Sequence, residues 1–476
     1  MGQLRALVFG GWNMDVTFHK AKIFEKMKKV LIISYFFPPL GGVGVQRVLK
    51  FVKYLPHFGW QPMVLTVRNP DFQMFDQKLL KEVPGQTKVV WTRTIEPSKI
   101  YNFFAALFGR IKTSLKKRKP ADKTELDVNP RQRLATQISH FLFIPDSRIG
   151  WLPFAIFSIL AEIKKREYDI IFSTSPPFSA HLVGLAAKVI LGKPWVIDLR
   201  DLWVLSPHIK SPTKFHLWIS KYIEHKMLKF ADKIITVSEP FCEDLKKVYP
   251  DIVSDKFDVI PNGYDANDFK IAQVKQNEKF CIGHVGSLYG YSGRTPYYFL
   301  MALANLKKEI PNLEKVMEVS FIGSIDNENR ELINAIASKF SLREVLHVRD
   351  FVSHEEAISC MRKFNVLLFL GVRAAKDCHD TTGDVSSGKL YEYLAVGKPV
   401  LTLTEDGAIK GLIEKSGCGI IVDYNDIERI KQEILICYNK YKQGHLVVEP
   451  NWDFITLFER KKLTQQLANV LDELNK

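Results

Sequence analysis

Two kinds of apolar pattern alternate along the chain. Short runs that are apolar at nearly every position occur at Val30–Ser34, Met63–Val67, Ile170–Ser173, Trp195–Asp198, Lys233–Val237 and Asp258–Ile260. Stretches with apolar residues at helical spacing fall between most of them, among them Val45–His57, Phe178–Leu191 and Phe215–Phe230. Strands that are apolar on both sides must be covered on both faces, and alternation with helices makes the sheet parallel. The series then restarts at Phe280–Val285, Val316–Ile322, Val345–Val348, Val366–Leu370, Pro399–Leu403 and Gly419–Val422. The pattern predicts an α/β chain of two doubly wound, Rossmann-like parallel-sheet domains in tandem, spanning 27–262 and 266–450. Pro261-Asn262-Gly263-Tyr264-Asp265 supplies turn chemistry at the junction. A closing segment, 451–476, carries one predicted amphipathic helix over Trp452–Leu474.

Two stretches depart from this rhythm. Residues 1–26 show neither a clean period nor the cleavage pattern of a signal peptide, and are expected to form a poorly packed extension before Met27. Within 70–150 the alternation breaks. There Ile100, Phe103, Phe104, Leu107, Phe108, Ile111 and Leu115 share one helical face, and Lys116-Lys117-Arg118-Lys119 follows. An aromatic stripe ending in a basic cluster suits a helix lying in a membrane interface, so the insertion is a candidate membrane-facing segment. A helix packed on the core beside a solvated basic loop explains the same pattern.

Composition adds less than the distribution of charge. With 476 residues, 46 % hydrophobic and 25 % charged, the chain is an ordinary folded protein, long enough for two or three domains. The net charge of +15 is carried by one half: 1–265 holds 40 basic and 24 acidic residues, 266–476 holds 27 and 28. Such asymmetry points to a polyanionic partner, a nucleic acid or an anionic membrane surface. No run of about 18 apolar residues is present to span a bilayer. Cys242, Cys281, Cys360, Cys378, Cys418 and Cys437 form no C-x-x-C pair, which argues against a zinc site and fits a reducing, cytoplasmic setting.

Candidate chemistry gathers where strands hand over to helices. Gly41, Gly42 and Gly44 follow the first strand and let backbone N–H groups approach a phosphate or sugar. They do not make a G-x-G-x-x-G fingerprint, and no acidic residue ends the next strand, so nicotinamide binding is disfavoured. Gly383 to Lys389 matches G-x-x-x-x-G-K but continues with Leu390 where a P-loop needs Ser or Thr. Ser386-Ser387-Gly388 instead reads as a helix start whose free N–H groups suit a diphosphate, with Lys389 adding charge. Glu392, on the same face, is placed to hold ribose hydroxyls. Arg294 sits at the start of the next helix after Gly286-Ser287-Leu288-Tyr289 and can clamp a phosphate. In the first half, Asp198, Arg200 and Asp201 close a strand, with the two carboxylates flanking the arginine as general base and orienting pair.

Together these residues resemble the GT-B glycosyltransferases, specifically the family 4-like enzymes of bacterial cell-surface glycan synthesis. The likeness covers nearly the whole chain from Met27: YFFPPLGGVGVQR, FIPDSRIGW, STSPPFSAHLVGL and KPWVIDLRDLW, then ITVSE, VIPNGYD, HVGSLYGYSGRTP and SSGKLYEYLAVGKPVL. The resemblance implies two domains facing a cleft, the first binding acceptor and the second the nucleotide-sugar, with the final helix crossing back to the first. It implies a peripheral, cytoplasmic-face enzyme with a lipid-linked or polysaccharide acceptor, retention of configuration, and no metal or other cofactor. Arg294, Lys389, Ser387 and Gly388 match the diphosphate site. Glu392 matches the second Glu of the family's E-x7-E motif, whose first position is here Asp384. The family's His-Asp appears as Arg200-Asp201, which leaves Asp201 as the candidate base. A nucleotide-sugar epimerase or hydrolase of the same fold is the alternative enzyme. A basic nucleic-acid-binding protein is the alternative outside enzymes, without a zinc, RRM or KH signature to support it.

Overall fold

The computed structural model describes residues 27–70, 72, 74–96, 144–206, 211–270, 277–290, 294–371, 388–405 and 407–476. The extension 1–26, the aromatic stripe after Ile100, Asp384 and Ser387 lie outside them.

The first sheet is built from β1 (Lys28–Ile33), β2 (Trp60–Val67), β3 (Lys88–Thr92), β4 (Ile170–Ser175), β5 (Trp195–Leu199), β6 (Lys233–Thr236) and β7 (Phe257–Val259). All pair in parallel in the order β3-β2-β1-β4-β5-β6-β7. Helices α1 (Val43–Tyr54), α2 (Leu152–Ala161), α3 (Ser179–Leu191), α4 (Lys214–Phe230) and α5 (Glu239–Val248) connect them. The order reverses between β1 and β4, so α1 falls on one face and α2 to α5 on the other. Alternate strand residues feed the two layers: Leu31 and Ile33 one way, Val30 and Ile32 the other. β3 corrects the reading of 70–150 as unbroken irregularity. Its KVVWT leaves Trp91 exposed and Val90 buried, an edge-strand pattern too short to stand out by period.

The second sheet repeats the plan with six strands in the order β10-β9-β8-β11-β12-β13. They are β8 (Phe280–Val285), β9 (Met317–Ile322), β10 (Leu346–Arg349), β11 (Val366–Leu370), β12 (Val400–Leu403) and β13 (Gly419–Val422). Helices α6 (Tyr297–Glu309), α7 (Asn327–Lys339), α8 (His354–Lys363), α9 (Gly388–Val396), α10 (Ala408–Ser416) and α11 (Ile427–Lys442) surround it. Side-chain caps fix several starts: Asp326 accepts from Asn329 N at 3.0 Å and Ser353 from Glu356 N at 3.3 Å.

The closing segment is not one helix. A turn at Trp452–Ile455 and a 3-10 turn at Thr456–Phe458 lead to Glu459 in extended conformation, and α12 (Arg460–Leu474) starts afresh. The break has a cause. Here the chain crosses from the second domain to the first and pairs with the outgoing junction: Tyr264 N donates to Phe458 O at 3.1 Å, and Arg460 N to Tyr264 O at 2.7 Å. Beyond it, Leu463, Leu467, Val470 and Leu471 pack with Val48, Phe51 and Trp60 of the first domain. Asp472 accepts from Lys28 at 2.7 Å and from Trp60 Nε1 at 2.9 Å.

Gly263 lies where the two crossings touch; a Cβ there would stand 2.0 Å from Phe458 O. Gly263→Ala is expected to cost about 1–3 kcal/mol through forced backbone movement, seen as a lower urea midpoint. Gly85→Ala, with nothing within 4 Å of the added carbon, is expected to leave the midpoint unchanged.

Candidate active site

The strand order of each sheet reverses between β1 and β4 and between β8 and β11, and open α/β sheets bind ligands at such points. The carboxyl ends of the two sheets supply the walls of one cavity of about 240 Å³. Gly42, Gln46 and Asp76 line it from the first domain, and Gly286, Ser287, Tyr289, Gly323, His354, Lys389 and Glu392 from the second. Gly42 opens α1 at φ 88°, a conformation glycine adopts without strain.

Lys389 and Glu392 meet one turn apart on α9, Nζ to Oε2 at 2.9 Å. His354 Nε2 lies 3.0 Å from the other carboxylate oxygen, and its Nδ1 lies 3.7 Å from Asp268. Burial would raise the Glu392 carboxyl, but Lys389 and His354 outweigh it and hold it well below the usual range. Glu392 is therefore an anion at neutral pH, pre-oriented as a hydrogen-bond acceptor. Beneath Gly286 lies His284, buried, with Nδ1 3.0 Å from Leu368 O. Burial pushes its pKa down to about 4, and Arg294 and Lys389 add to the shift. Of the two predicted phosphate-binding cations, Lys389 lines the cavity beside Gly286. Arg294 lies three residues before α6 rather than at its first turn.

The two domains also touch directly at the cavity. His354 N donates to Asp76 Oδ2 at 3.1 Å, and Lys78 pairs with Glu355 at 2.5 Å. Nearer the junction, Lys50 is buried among Glu82 (2.7 Å), Asp265 (2.9 Å) and Asp268 (3.0 Å), and Lys53 bridges Glu82 and Asp265. Burial works against the Lys50 charge, but the carboxylates prevail and hold its pKa above the ordinary value. An ammonium already occupies the centre of this acidic group, so it needs no further cation.

The strand-end group of the first domain is arranged differently from its sequence reading. Asp198 and Arg200, read in the sequence as part of a base and orienting pair, are both engaged within the protein. Asp198 is buried and paired with Arg47, at 2.7 Å to Nη2 and 3.1 Å to Nε, and accepts from Thr174 at 2.7 Å. Arg47 also donates to Ile260 O and Pro261 O. Arg200 is buried too. It donates to Ser175 O, Gly44 O and Pro176 O, tying the glycine loop to the end of β4. Asp201 is exposed and is not among the cavity residues. Gly41 lies against Phe351 of the second domain, whose ring carbon would stand 3.0 Å from an added Cβ. Gly388, the first described residue of α9, is buried. Sequence reasoning passed over His354, Asp76, His284 and Arg47. His284 stands two residues before Gly286; the other three carry no local signal, because their partners are far away in the chain.

Two family descriptions tile the chain: Glycosyltransferase Family 4 over residues 40–268, and Glycosyl transferases group 1 over 265–445. The chain is a family 4-like glycosyltransferase of GT-B fold. Solved structures agree on the fold. HepE of Anabaena, in complex with UDP and glucose, aligns at TM-score 0.59 and 16 % identity, covering 94 % of this chain and 99 % of its own. A glycosyltransferase from Rickettsia africae aligns at TM-score 0.60 and 14 % identity over 95 % and 99 %. Sucrose-phosphate synthase from Thermosynechococcus elongatus aligns at 0.59 and 14 % over 94 % and 99 %. No curated protein sequence matches the chain. The glycosyltransferase's junction falls where the two family matches meet, at the pairing of Tyr264 with Glu459.

Proposed function

We propose that this glycosyltransferase moves a sugar from a nucleotide-sugar to a lipid-linked or polysaccharide acceptor, with retention and without a metal ion, at the inner face of a bacterial membrane. The observation that carries the donor side is the Lys389–Glu392 pair set under the Gly286 turn in the interdomain cavity. Lys389, Arg294 and the N–H groups at Ser387 and Gly388 stabilise the departing diphosphate, where cations and a helix start act on developing charge. Glu392 accepts from the ribose hydroxyls, and Asp384 contacts the donor sugar. Gly42 and Gly44 bring backbone N–H groups toward the sugar from the opposite wall, and Gly41, whose N–H donates to Met74 O at 2.9 Å, fixes the loop that carries them. Asp201, at the surface end of the β5 loop, takes the acceptor proton.

UDP and UDP-glucose occupy HepE, so uridine nucleotides head the panel for the test. A donor present at about 100 times its Kd is expected to stabilise the fold by about 2.7 kcal/mol, through binding to the native state alone, read as a rise in melting temperature. Absence of any shift across uridine, guanosine and adenosine diphosphate sugars would sink the donor reading. Steady conversion of the donor without acceptor would favour an epimerase or hydrolase.

A further inference from the structure

Helices α2, α3 and α4 lie side by side over one face of the first sheet. A surface helix ordinarily turns polar residues outward. These three turn apolar ones. On α4, Phe215 is 61 % exposed, Trp218 60 % and Tyr222 52 %, and Phe230 at the helix end is 51 % exposed. Trp218 stacks between Phe215 and Tyr222 with ring centroids 6.1 Å from each. On α2, Phe157 is 71 % exposed and Leu160 50 %, and on α3 Val189 is 74 % exposed.

Among the described residues, lysines outnumber acidic groups on this face; the partly exposed Glu162, which caps the end of α2, is held by Lys88 at 2.6 Å and Arg166 at 3.5 Å. Lys214, Lys221, Lys226 and Lys229 flank the aromatic ladder on α4, and Lys164 and Lys165 follow α2. Across all three helices the only carboxylate is Glu224, and it is buried, accepting from Tyr249 OH at 2.6 Å. Acidic neighbours stand at the layer's margin, where Asp232 pairs with Lys188 and Asp251 with His225 and Lys229.

We infer that the outer face of α2, α3 and α4 docks on an anionic lipid bilayer. The inference rests on the membrane-held acceptor proposed above and supplies a surface for it, independent of the aromatic stripe read in the sequence. Contiguous exposed apolar area is unusual on a soluble monomer. Aromatic and aliphatic side chains at the centre with lysines at the rim match the acyl boundary and anionic headgroups of an interface. A nucleic-acid face needs its cations at the centre, against phosphates; here the centre is apolar and α2 carries no charge at all.

The test is flotation of the full chain with vesicles of phosphatidylcholine, alone or doped with phosphatidylglycerol. Wild type is expected to float with the doped vesicles and to remain largely free of the neutral ones. Phe215→Ser/Trp218→Ser/Tyr222→Ser and Lys214→Glu/Lys221→Glu are each expected to lower partition by about tenfold or more. Melting temperature and UDP affinity should stay as in wild type, because every replaced side chain is exposed. Wild type that stays off doped vesicles, or a triple variant that floats undiminished, overturns the inference. So does a wild-type dimer that the triple variant dissolves without any vesicle binding, or duplex DNA binding lost with the lysine reversal while flotation persists. Flotation without UDP binding would instead leave the surface standing and remove the donor reading.

Discussion

Asp198→Ala is expected to destabilise the first domain by about 3–5 kcal/mol, the cost of stranding one member of a buried ion pair. Arg47 and Asp198 are 1 % and 0 % exposed, and the guanidinium reaches Ile260 O and Pro261 O as well. Losing the carboxylate therefore loosens α1, β5 and the start of the interdomain junction together. Urea unfolding checks the size of the effect, and a loss under about 1 kcal/mol would contradict it. The pH dependence has a definite sign. Burial raises the Asp198 carboxyl, but Arg47 outweighs it and holds the pKa below 3.8. The pair's stabilisation is thus complete above the unfolded value and disappears as pH falls through the lower folded value. The gap between wild type and Asp198→Ala should close on acidification below pH 3.8.

Lys389→Ala is expected to lower kcat/KM for the nucleotide-sugar by about 10²–10³, the range for removing a group that stabilises charge developing in the transition state. The variant also leaves Glu392 buried with His354 as its remaining close partner. Donor affinity by calorimetry should fall with the rate, while Lys389→Arg, which keeps the charge, should recover part of both. Unchanged affinity and rate in a folded Lys389→Ala protein would remove the diphosphate site from α9.

The fold was largely readable because its signal is local. Strands that are apolar at nearly every position stand out: the buried Phe280–Val285 and Val366–Leu370, and the edge strand Gly419–Val422, begin and end where the pattern places them. Val316 and Pro399 fall just outside their strands. β3 escaped because an exposed Trp91 and an initial Lys88 interrupt its apolar run. The break at Glu459 escaped for another reason. Helical periodicity on both sides of it is sound, and what interrupts the helix is Tyr264, almost two hundred residues earlier.

The site divides in the same way. Lys389 and Glu392 are three residues apart on one helix, so spacing alone places them together. Asp198, Arg200 and Asp201 are also close in sequence, yet a strand end points neighbours in different directions. Asp198 turns inward to Arg47, Arg200 to backbone carbonyls and Asp201 to solvent. His354 owes its place against Glu392 to the packing of α8 beside α9, which no spacing records.

The crossing at Glu459 also sets the order in which the molecule can be made. The apolar layer over α1 is closed by Leu463, Leu467 and Leu471, the last of its residues to be synthesised. At about 5–20 residues per second, α12 follows the first domain by roughly 10–40 s. Until then Val48, Phe51 and Val52 have no cover from it. The domain at the amino end therefore finishes folding last, after the second domain has emerged, and a ribosome-bound chain presents an unfinished first half.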